Sequence, residues 1–454
     1  MRISRSGLVA VTLFFLALSS KAFGSEQERI LHELEASFQR HILEAWYPRA
    51  VDEEKGGYFS DFAHDWERKG PQDKFLVSQA RHLWTSSRAA SHTGDARYLE
   101  IARHGLEFLR LVAWDSKQGG FHERLSRSGE LRESPGKTAY GNAFAIYALA
   151  TYYEASGDAS ALDLAKEAFL WLDRAAWDSE YGGYVDKLQR DGSWAENVNA
   201  KDLESLRGRI GLKDYNSSIH ILEAFTALYR VWPDPHLKGR TAAMLRIVRD
   251  RFFQDPGYLR LYYFRDWTPV SFREMGREYV LNHLYWDHVS WGHDVESAFL
   301  LLEAAHALYG ELDPVTLGRA KALVDHGLAT GWDETLGGLW EGGYYFEEGG
   351  DCEVVMEDKV WWIAAEGLNA FLMMSQLFPQ EEQYRQAFEK QWRYIDRYLI
   401  DHENGGWYQR GSDSNPEVRS WPKSQIWKAN YHDARAYLNC IQMLRGTFPL
   451  TRHR

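Results

Sequence analysis

The chain has 454 residues, 44% hydrophobic and 26% charged, an ordinary globular composition with enough apolar material for one large core. Its formal net charge of −12 disfavours nucleic acid and anionic membrane surfaces as partners. Only two cysteines, Cys352 and Cys440, are present, which excludes a disulfide framework and leaves their pairing open.

Residues 1–24 read as a signal peptide. Arg2 and Arg5 precede the apolar run Leu8–Leu18, and Ala22-Phe23-Gly24 is a small-x-small cleavage signature. The run is short for a mature membrane anchor. The chain is therefore expected to be exported, periplasmic or secreted, with residues 25–454 forming a single domain.

A helix is expected at 27–46. Asp52–Tyr58 then opens a series of similar turns: Asp, three variable residues, Gly-Gly, and an aromatic. Further copies are Asp115–Phe121, Asp178–Tyr184, Asp333–Leu339 (without the aromatic) and Asp401–Trp407, with a worn copy at Asp255–Tyr258. The repeat is about 60–80 residues long, the period of a repeat architecture. Glycine pairs beside aromatics are hairpin chemistry. Between the turns the periodicity predicts helix pairs at 74–91 and 96–113, 137–155 and 160–175, and 214–232 and 236–253. Two more pairs follow at 289–309 with 313–329 and 358–377 with 382–398, and a last helix at 428–446. The first helix of each pair is apolar nearly all round, as in Ala143–Leu149 and Ala298–Leu308, so it belongs inside. The second carries one apolar stripe, such as Ala102, Leu106, Leu109 and Ala113, so it belongs outside. The orphan helix at 27–46 can partner the one at 428–446 and close the ring. These features predict an all-α (α/α)6 barrel (toroid) with six short Gly-Gly β-hairpins between helices; terminal pairing disfavours an open solenoid.

Polar and aromatic residues recur at the starts of the expected inner helices. They are Gln79, Arg81 and Trp84; Lys137 and Tyr140; Asn216, His220 and Glu223; His293 and Glu296; Trp361, Trp362 and Glu366; and Trp427 and His432. Inner helices that run the same way bring these residues to one mouth. A buried arginine, three histidines and three glutamates there are costly unless they serve one another or a ligand. His293 and Glu296 share a helix face, so Glu296 is expected to orient the ring and raise its pKa, which suits a general acid/base. His432 has no such helical partner. For each histidine, satisfaction inside a helical core is the plain alternative, as core packing is for Trp361 and Trp427 and ion pairing for Arg81. Together the groups point to a polar, carbohydrate-like ligand. No metal-ligand spacing or Gly-rich phosphate loop occurs, so no metal or other cofactor is expected.

In order, these segments resemble the N-acylglucosamine 2-epimerase family, and within it the cellobiose 2-epimerase branch. The carriers are Gln79–Thr85, Lys137–Phe144, Asn216–Ala224, Gly292–Glu296, Trp361–Glu366 and Trp427–His432, spread over about 30–446. The resemblance implies an (α/α)6 barrel, with His293 and His432 as the acid/base pair. It also implies that Arg81, Asn216, His220, Glu223, Glu296 and Glu366 hold or polarise the sugar, and that Trp361 and Trp427 stack on it. The segment Lys428-Ala429-Asn430-Tyr431 departs from relatives that carry a proline there, and an insertion around Tyr345–Asp351 bears on sugar length. The implied reaction interconverts glucose and mannose at the reducing end of a β-linked disaccharide. Ring opening exposes C2 to deprotonation, Arg81 stabilises the cis-enediolate, and inversion requires a base on each face. Return of the proton to C1 instead makes an aldose–ketose isomerase from the same residues. An N-acylglucosamine 2-epimerase, an (α/α)6 glycoside hydrolase built on a carboxylate pair and an inert sugar binder are the remaining rivals. The expected partner is a small carbohydrate, with no nucleic acid, no membrane after signal cleavage, and a monomeric or weakly dimeric chain.

Overall fold

The computed structural model describes residues 26–132, 136–198, 203 and 209–450; the signal peptide expected at 1–24 lies outside the described residues. Its helices are α1 (26–46), α2 (Leu76–Thr93), α3 (Ala96–Phe108), α4 (Ala139–Ser156), α5 (Ala159–Ala176), α6 (Tyr215–Val231) and α7 (Pro235–Arg246). They continue with α8 (Arg277–Asn282), α9 (Trp291–Tyr309), α10 (Pro314–Thr330), α11 (Trp361–Leu377), α12 (Glu382–Tyr394) and α13 (Tyr431–Leu444). Wider π turns extend α3, α7 and α12 through Ala113, Phe252 and Leu399, which recovers the longer helices that periodicity predicts.

Local chemistry sets the ends. Gly94 and Gly157 close α2 and α4 in the left-handed conformation. The carboxylates of Asp95, Asp158, Asp234 and Asp313 then cap α3, α5, α7 and α10 by accepting backbone N–H groups. The chain so turns from an inner helix into an outer one. Helices α2, α4, α6, α9, α11 and α13 touch in succession and α13 returns to α2, a closed inner ring. Helices α3, α5, α7, α10 and α12 pack outside their partners, and α1 completes the outer ring against α13. This is the (α/α)6 barrel expected from the sequence.

The Gly-Gly turns are hairpins whose flanking residues pair antiparallel, as Val51 with Tyr58 and Trp114 with Phe121. The leading aspartate is held by a lysine the repeat pattern did not reveal. Lys74, Lys137, Lys213, Lys359 and Lys423, all buried, pair with Asp52, Asp115, Asp178, Asp333 and Asp401 at 2.5 to 3.2 Å. The worn copy lacks this device: Asp255 faces solvent, and its hairpin is pinned by Asp294, which accepts the Leu259 N–H at 2.9 Å. Gln79 and Asn142 accept the N–H groups of Tyr58 and Phe121 in the same way.

A second set of pairings joins neighbouring units. The residues before each inner helix bridge to the strand after the next hairpin: Phe75 to Arg124, Thr138 to Lys187, Asp214 to Tyr262, Val289 to Gly343, and Val360 to Arg410. Ser424 before α13 bridges to Phe62 after the first hairpin and completes the circle. This belt fixes the mouth at the N-terminal ends of the inner helices. Removing one partner of a buried ion pair costs about 3–5 kcal/mol, so Lys423→Met is expected to lose that much in denaturant unfolding; a loss under about 1 kcal/mol contradicts a structural role for the pair.

Between Tyr263 and Trp291 the chain departs from the repeat. Phe264, Val270, Phe272, Val280 and Trp286, with Leu203, Leu212 and Tyr344, form a small separate core beside the mouth. Both cysteines are free: Cys440 is buried in α13, and Cys352 lies in a hairpin. Among the described residues, no helix is long and apolar enough to cross a membrane.

Candidate active site

Each inner helix contributes to the mouth: α2 gives Arg81, α4 Tyr140, α6 Asn216, His220 and Glu223, and α9 His293 and Glu296. Helix α11 gives Trp361, Trp362 and Glu366, α13 gives His432, and Trp427 sits in the turn before α13. The expected convergence is present, but its centre is a residue that helical spacing did not single out.

That residue is Arg435, fully buried on α13. One terminal nitrogen donates to Glu223 and to the Tyr431 hydroxyl, which itself donates to Glu223. The other donates to Glu296 and, at 2.6 Å, to Glu366. One guanidinium thus serves three buried carboxylates. Burial raises the Glu223 pKa, but Arg435, His220 and Tyr431 outweigh it and hold it at about 2. Burial pushes Glu296 up to about 7, with the Glu366 carboxylate adding to the rise and Arg435 opposing it. Burial likewise takes Glu366 to about 7 against Arg435. Glu296 and Glu366 therefore titrate as a pair near neutrality. Together with His432 they place ligand atoms within 4.8 Å of one another, as a cation site would; the cation they bind here is the Arg435 guanidinium.

His432 draws its carboxylate from the neighbouring inner helix, α11. Its Nδ1 lies 2.7 Å from Glu366 Oε1 and 3.8 Å from Glu296 Oε1. An Arg81 terminal nitrogen lies 3.3 Å from His432 Nε2. Arginine only donates, so the network assigns Nε2 as acceptor and Nδ1–H as donor to Glu366. Burial, then Arg81 and Arg435, hold the His432 pKa well below its usual value, so the ring is neutral at pH 7. A neutral imidazole with an Nε2 lone pair, here accepting from Arg81, and a carboxylate behind it can act as a general base once a substrate takes the place of that hydrogen bond.

The expected His293–Glu296 partnership is not formed. His293 Nδ1 lies 2.8 Å from the Ser290 hydroxyl, and Glu296 is taken by Arg435. Burial, then the nearby His220 and His288, lower the His293 pKa, opposite to the expected rise. His293 is thus a second neutral imidazole, held by a hydroxyl. Trp362 touches both rings, with centroids 4.4 Å from His293 and 5.8 Å from His432. A side chain on Gly292 would strike the Trp362 ring, which explains glycine there. Trp362 and Tyr431, with Arg435, are site residues to which the sequence alone assigned no role. A lone arginine in the apolar run of α13, set against three glutamates that needed a cation, was the available signal for Arg435.

Arg81 also donates to the Trp427 carbonyl at 2.6 Å and to the Tyr140 hydroxyl at 3.1 Å. His220 Nδ1 pairs with Glu223 at 2.9 Å, and Tyr140 stands edge-on to the His220 ring at 5.3 Å. Tyr140, Asn216 and Trp427 line a recess of about 100 Å³ together with Tyr262, Tyr285 and the carboxyls of Glu123, Asp186 and Asp214. Trp427 is 48% exposed, so its face is available at the mouth. Trp361 instead has the Lys428 ammonium 5.4 Å from its ring.

Residues 57–436 match the model of the N-acylglucosamine 2-epimerase (GlcNAc 2-epimerase) family. A cellobiose 2-epimerase of Bacteroides fragilis is 28% identical over 423 residues, covering 92% of this chain and 99% of its own. A D-mannose isomerase of Marinomonas mediterranea is 27% identical over 429 residues, covering 91% of this chain and 96% of its own. The structure of cellobiose 2-epimerase from Spirochaeta thermophila matches with a TM-score of 0.78 at 30% identity, over 93% of this chain and 98% of that one. The likeness spans the whole ring that carries Arg81, the two histidines and the three glutamates: the chain belongs to the N-acylglucosamine 2-epimerase family.

Proposed function

We propose that this protein is a sugar 2-epimerase that interconverts glucose and mannose at the reducing end of a β-linked disaccharide of the cellobiose or mannobiose type. The observation that carries the reading is a pair of neutral histidines, His293 and His432, whose rings both pack near Trp362, with Arg81 beside His432 Nε2. Several relatives over nearly the full length are cellobiose 2-epimerases, which supports the branch. After ring opening, one neutral histidine removes the C2 proton and becomes imidazolium; the other, protonated from solvent beforehand, delivers its proton to the opposite face and returns to the neutral form. The Arg81 fork stabilises the enediolate oxygen between these steps. His432, backed by Glu366, is the stronger base of the two because the carboxylate stabilises the imidazolium that forms.

Incubation with cellobiose, mannobiose, mannose and N-acetylglucosamine, followed by product analysis, tests the reading. Epimerised disaccharide is expected as the main product. Fructose from mannose as the main product would place the chain with its isomerase relatives, and free glucose would mean hydrolysis. Arg81→Lys is expected to lower kcat about 10–100-fold with little change in KM, because a point charge cannot replace the fork. A purely KM effect would make Arg81 a ground-state binder.

The Glu296–Glu366 pair gives a distinctive pH signature. His432 needs an ionised Glu366, so kcat is expected to rise with pH through about 7. Stability moves the other way. A carboxyl whose folded pKa is raised from 4.5 to about 7 contributes stability below pH 4.5 that is lost as pH rises through 7. Glu296→Gln with Glu366→Gln should therefore flatten the decline in thermal stability between these pH values. A decline equal to the wild type's contradicts the assignment.

We further infer that the chain is exported, supported by the basic, apolar and small-x-small segments of residues 1–24. N-terminal sequencing of the protein from the periplasm or medium, giving a start near Ser25, tests this.

A further inference from the structure

Arg81 is held in place without a carboxylate. Among the described residues its side-chain partners are the Trp427 carbonyl at 2.6 Å on one terminal nitrogen, and the Tyr140 hydroxyl and His432 Nε2 at 3.1 and 3.3 Å on the other. Its Nε has no acceptor, and the rings of Phe144 and Tyr431 that pack on the guanidinium, 4.7 and 5.4 Å away, do not fix the direction of the fork. The Trp427 carbonyl is the shortest of these bonds and the one that comes from the backbone. Whatever fixes that carbonyl therefore aims Arg81.

The carbonyl sits in the turn before α13, where Trp427 N–H donates to Gln425 Oε1 at 2.7 Å and Lys428 N–H to the Gln425 carbonyl at 3.0 Å. Lys428 closes this turn from inside. Its side chain is buried, and its ammonium donates to the Lys423 carbonyl at 3.0 Å and, across to the last Gly-Gly hairpin, to the Trp407 carbonyl at 3.1 Å. Lys423 is itself tied to that hairpin through Asp401. The five hairpin lysines each meet an aspartate, whereas Lys428 directs its charge at two backbone carbonyls. Burial lowers its pKa to about 8, and Asp433, buried with neither carboxylate oxygen hydrogen-bonded, opposes the fall. A buried ammonium is costly, and here what it secures is the geometry of one turn.

We propose that Lys428 is a positioning residue for the reaction: by stapling the turn to the last hairpin, it fixes the Trp427 carbonyl that aims the Arg81 fork beside His432. The inference rests on the role given to Arg81 under Proposed function.

Arginine side-chain NMR of the full chain, without substrate, reads the hold directly. A clamped guanidinium gives two separate Nη signals and a loosened one a single averaged signal; Arg81→Lys identifies the pair by its loss. In Lys428→Met the two signals are expected to merge. That substitution leaves Asp433 without its nearby cation, so the charge-balanced Lys428→Met/Asp433→Asn, compared with Asp433→Asn alone, decides if the single variant fails to fold. Lys428→Met is also expected to lower kcat about tenfold with KM changed less than about threefold. It should add nothing in an Arg81→Lys background, because both changes act through one fork. Trp427→Ala keeps the carbonyl and should instead raise KM. Nη signals that stay separate in Lys428→Met, or kcat losses that add in full to those of Arg81→Lys, overturn the proposal. Merged signals with kcat unchanged overturn it through the role of Arg81 rather than through the anchor, so the two failures are told apart.

Discussion

His432→Ala is expected to lower epimerisation by about 10²-fold or more, with helical circular dichroism unchanged. The ring is one of the two proton-transfer groups, and no neighbour can replace it. Glu366 lies behind Nδ1, on the side away from the Nε2 lone pair, and Arg81, beside Nε2, is a hydrogen-bond donor and has no lone pair with which to take a proton. The mutation also removes a hydrogen bond from Glu366, but Arg435 still holds that carboxylate, so the fold persists. His293→Ala is expected to have a comparable effect by a different route. Its partner is only the Ser290 hydroxyl, so the loss is of the proton itself and leaves no buried charge unpaired. The two variants should therefore differ in stability, His432→Ala being the less stable, while both lose turnover. Retained turnover in either variant sinks the two-base assignment.

Arg435→Met is expected to be the most destabilising single change at the mouth. It leaves Glu223, Glu296 and Glu366 buried with no cation among them, and stranding a buried charge costs about 3–5 kcal/mol. The cost should depend on pH, and the sign follows from the groups involved. With Arg435 gone, the folded-state pKa values of all three carboxyls rise. The variant is then least impaired at pH 5, where protonation relieves the repulsion, and most impaired at pH 8. Arg435→Lys should rescue little, because one ammonium cannot reach three carboxylates. Calorimetric unfolding at the two pH values checks this. A loss that is small, or equal at pH 5 and pH 8, contradicts the role of Arg435 as the shared counter-ion.

Much of the architecture was legible because local signals and global topology agree. The Gly-Gly turns and the alternation of all-apolar with one-sided helices gave twelve helices near their observed ends, and the orphan helix at 27–46 did pair with α13. The lysines that pin the hairpins were not legible. They follow their aspartates by 22, 22, 35, 26 and 22 residues, a spacing disturbed in two units by inserted strand and loop. The small core around Phe264 and Trp286 also broke the period and offered no repeat to read. At the site, many of the candidate residues were readable because they fall in the N-terminal turns of the inner helices, whereas Arg435 was not. Nor were the pairings. His293 and Glu296 share a helix face, yet Glu296 is captured by Arg435 of α13, two places round the ring, and His432 finds Glu366 on adjacent α11. Helical spacing reports what is adjacent on one element, whereas these bonds run between different helices.

The most direct test of the central claim is an NMR time course with cellobiose in D₂O. Two histidines exchanging protons at C2 predict an epimerised disaccharide carrying deuterium at C2, at one atom per turnover and without release of monosaccharide. A ketose product, or an epimer that retains its original C2 hydrogen, contradicts the two-histidine account.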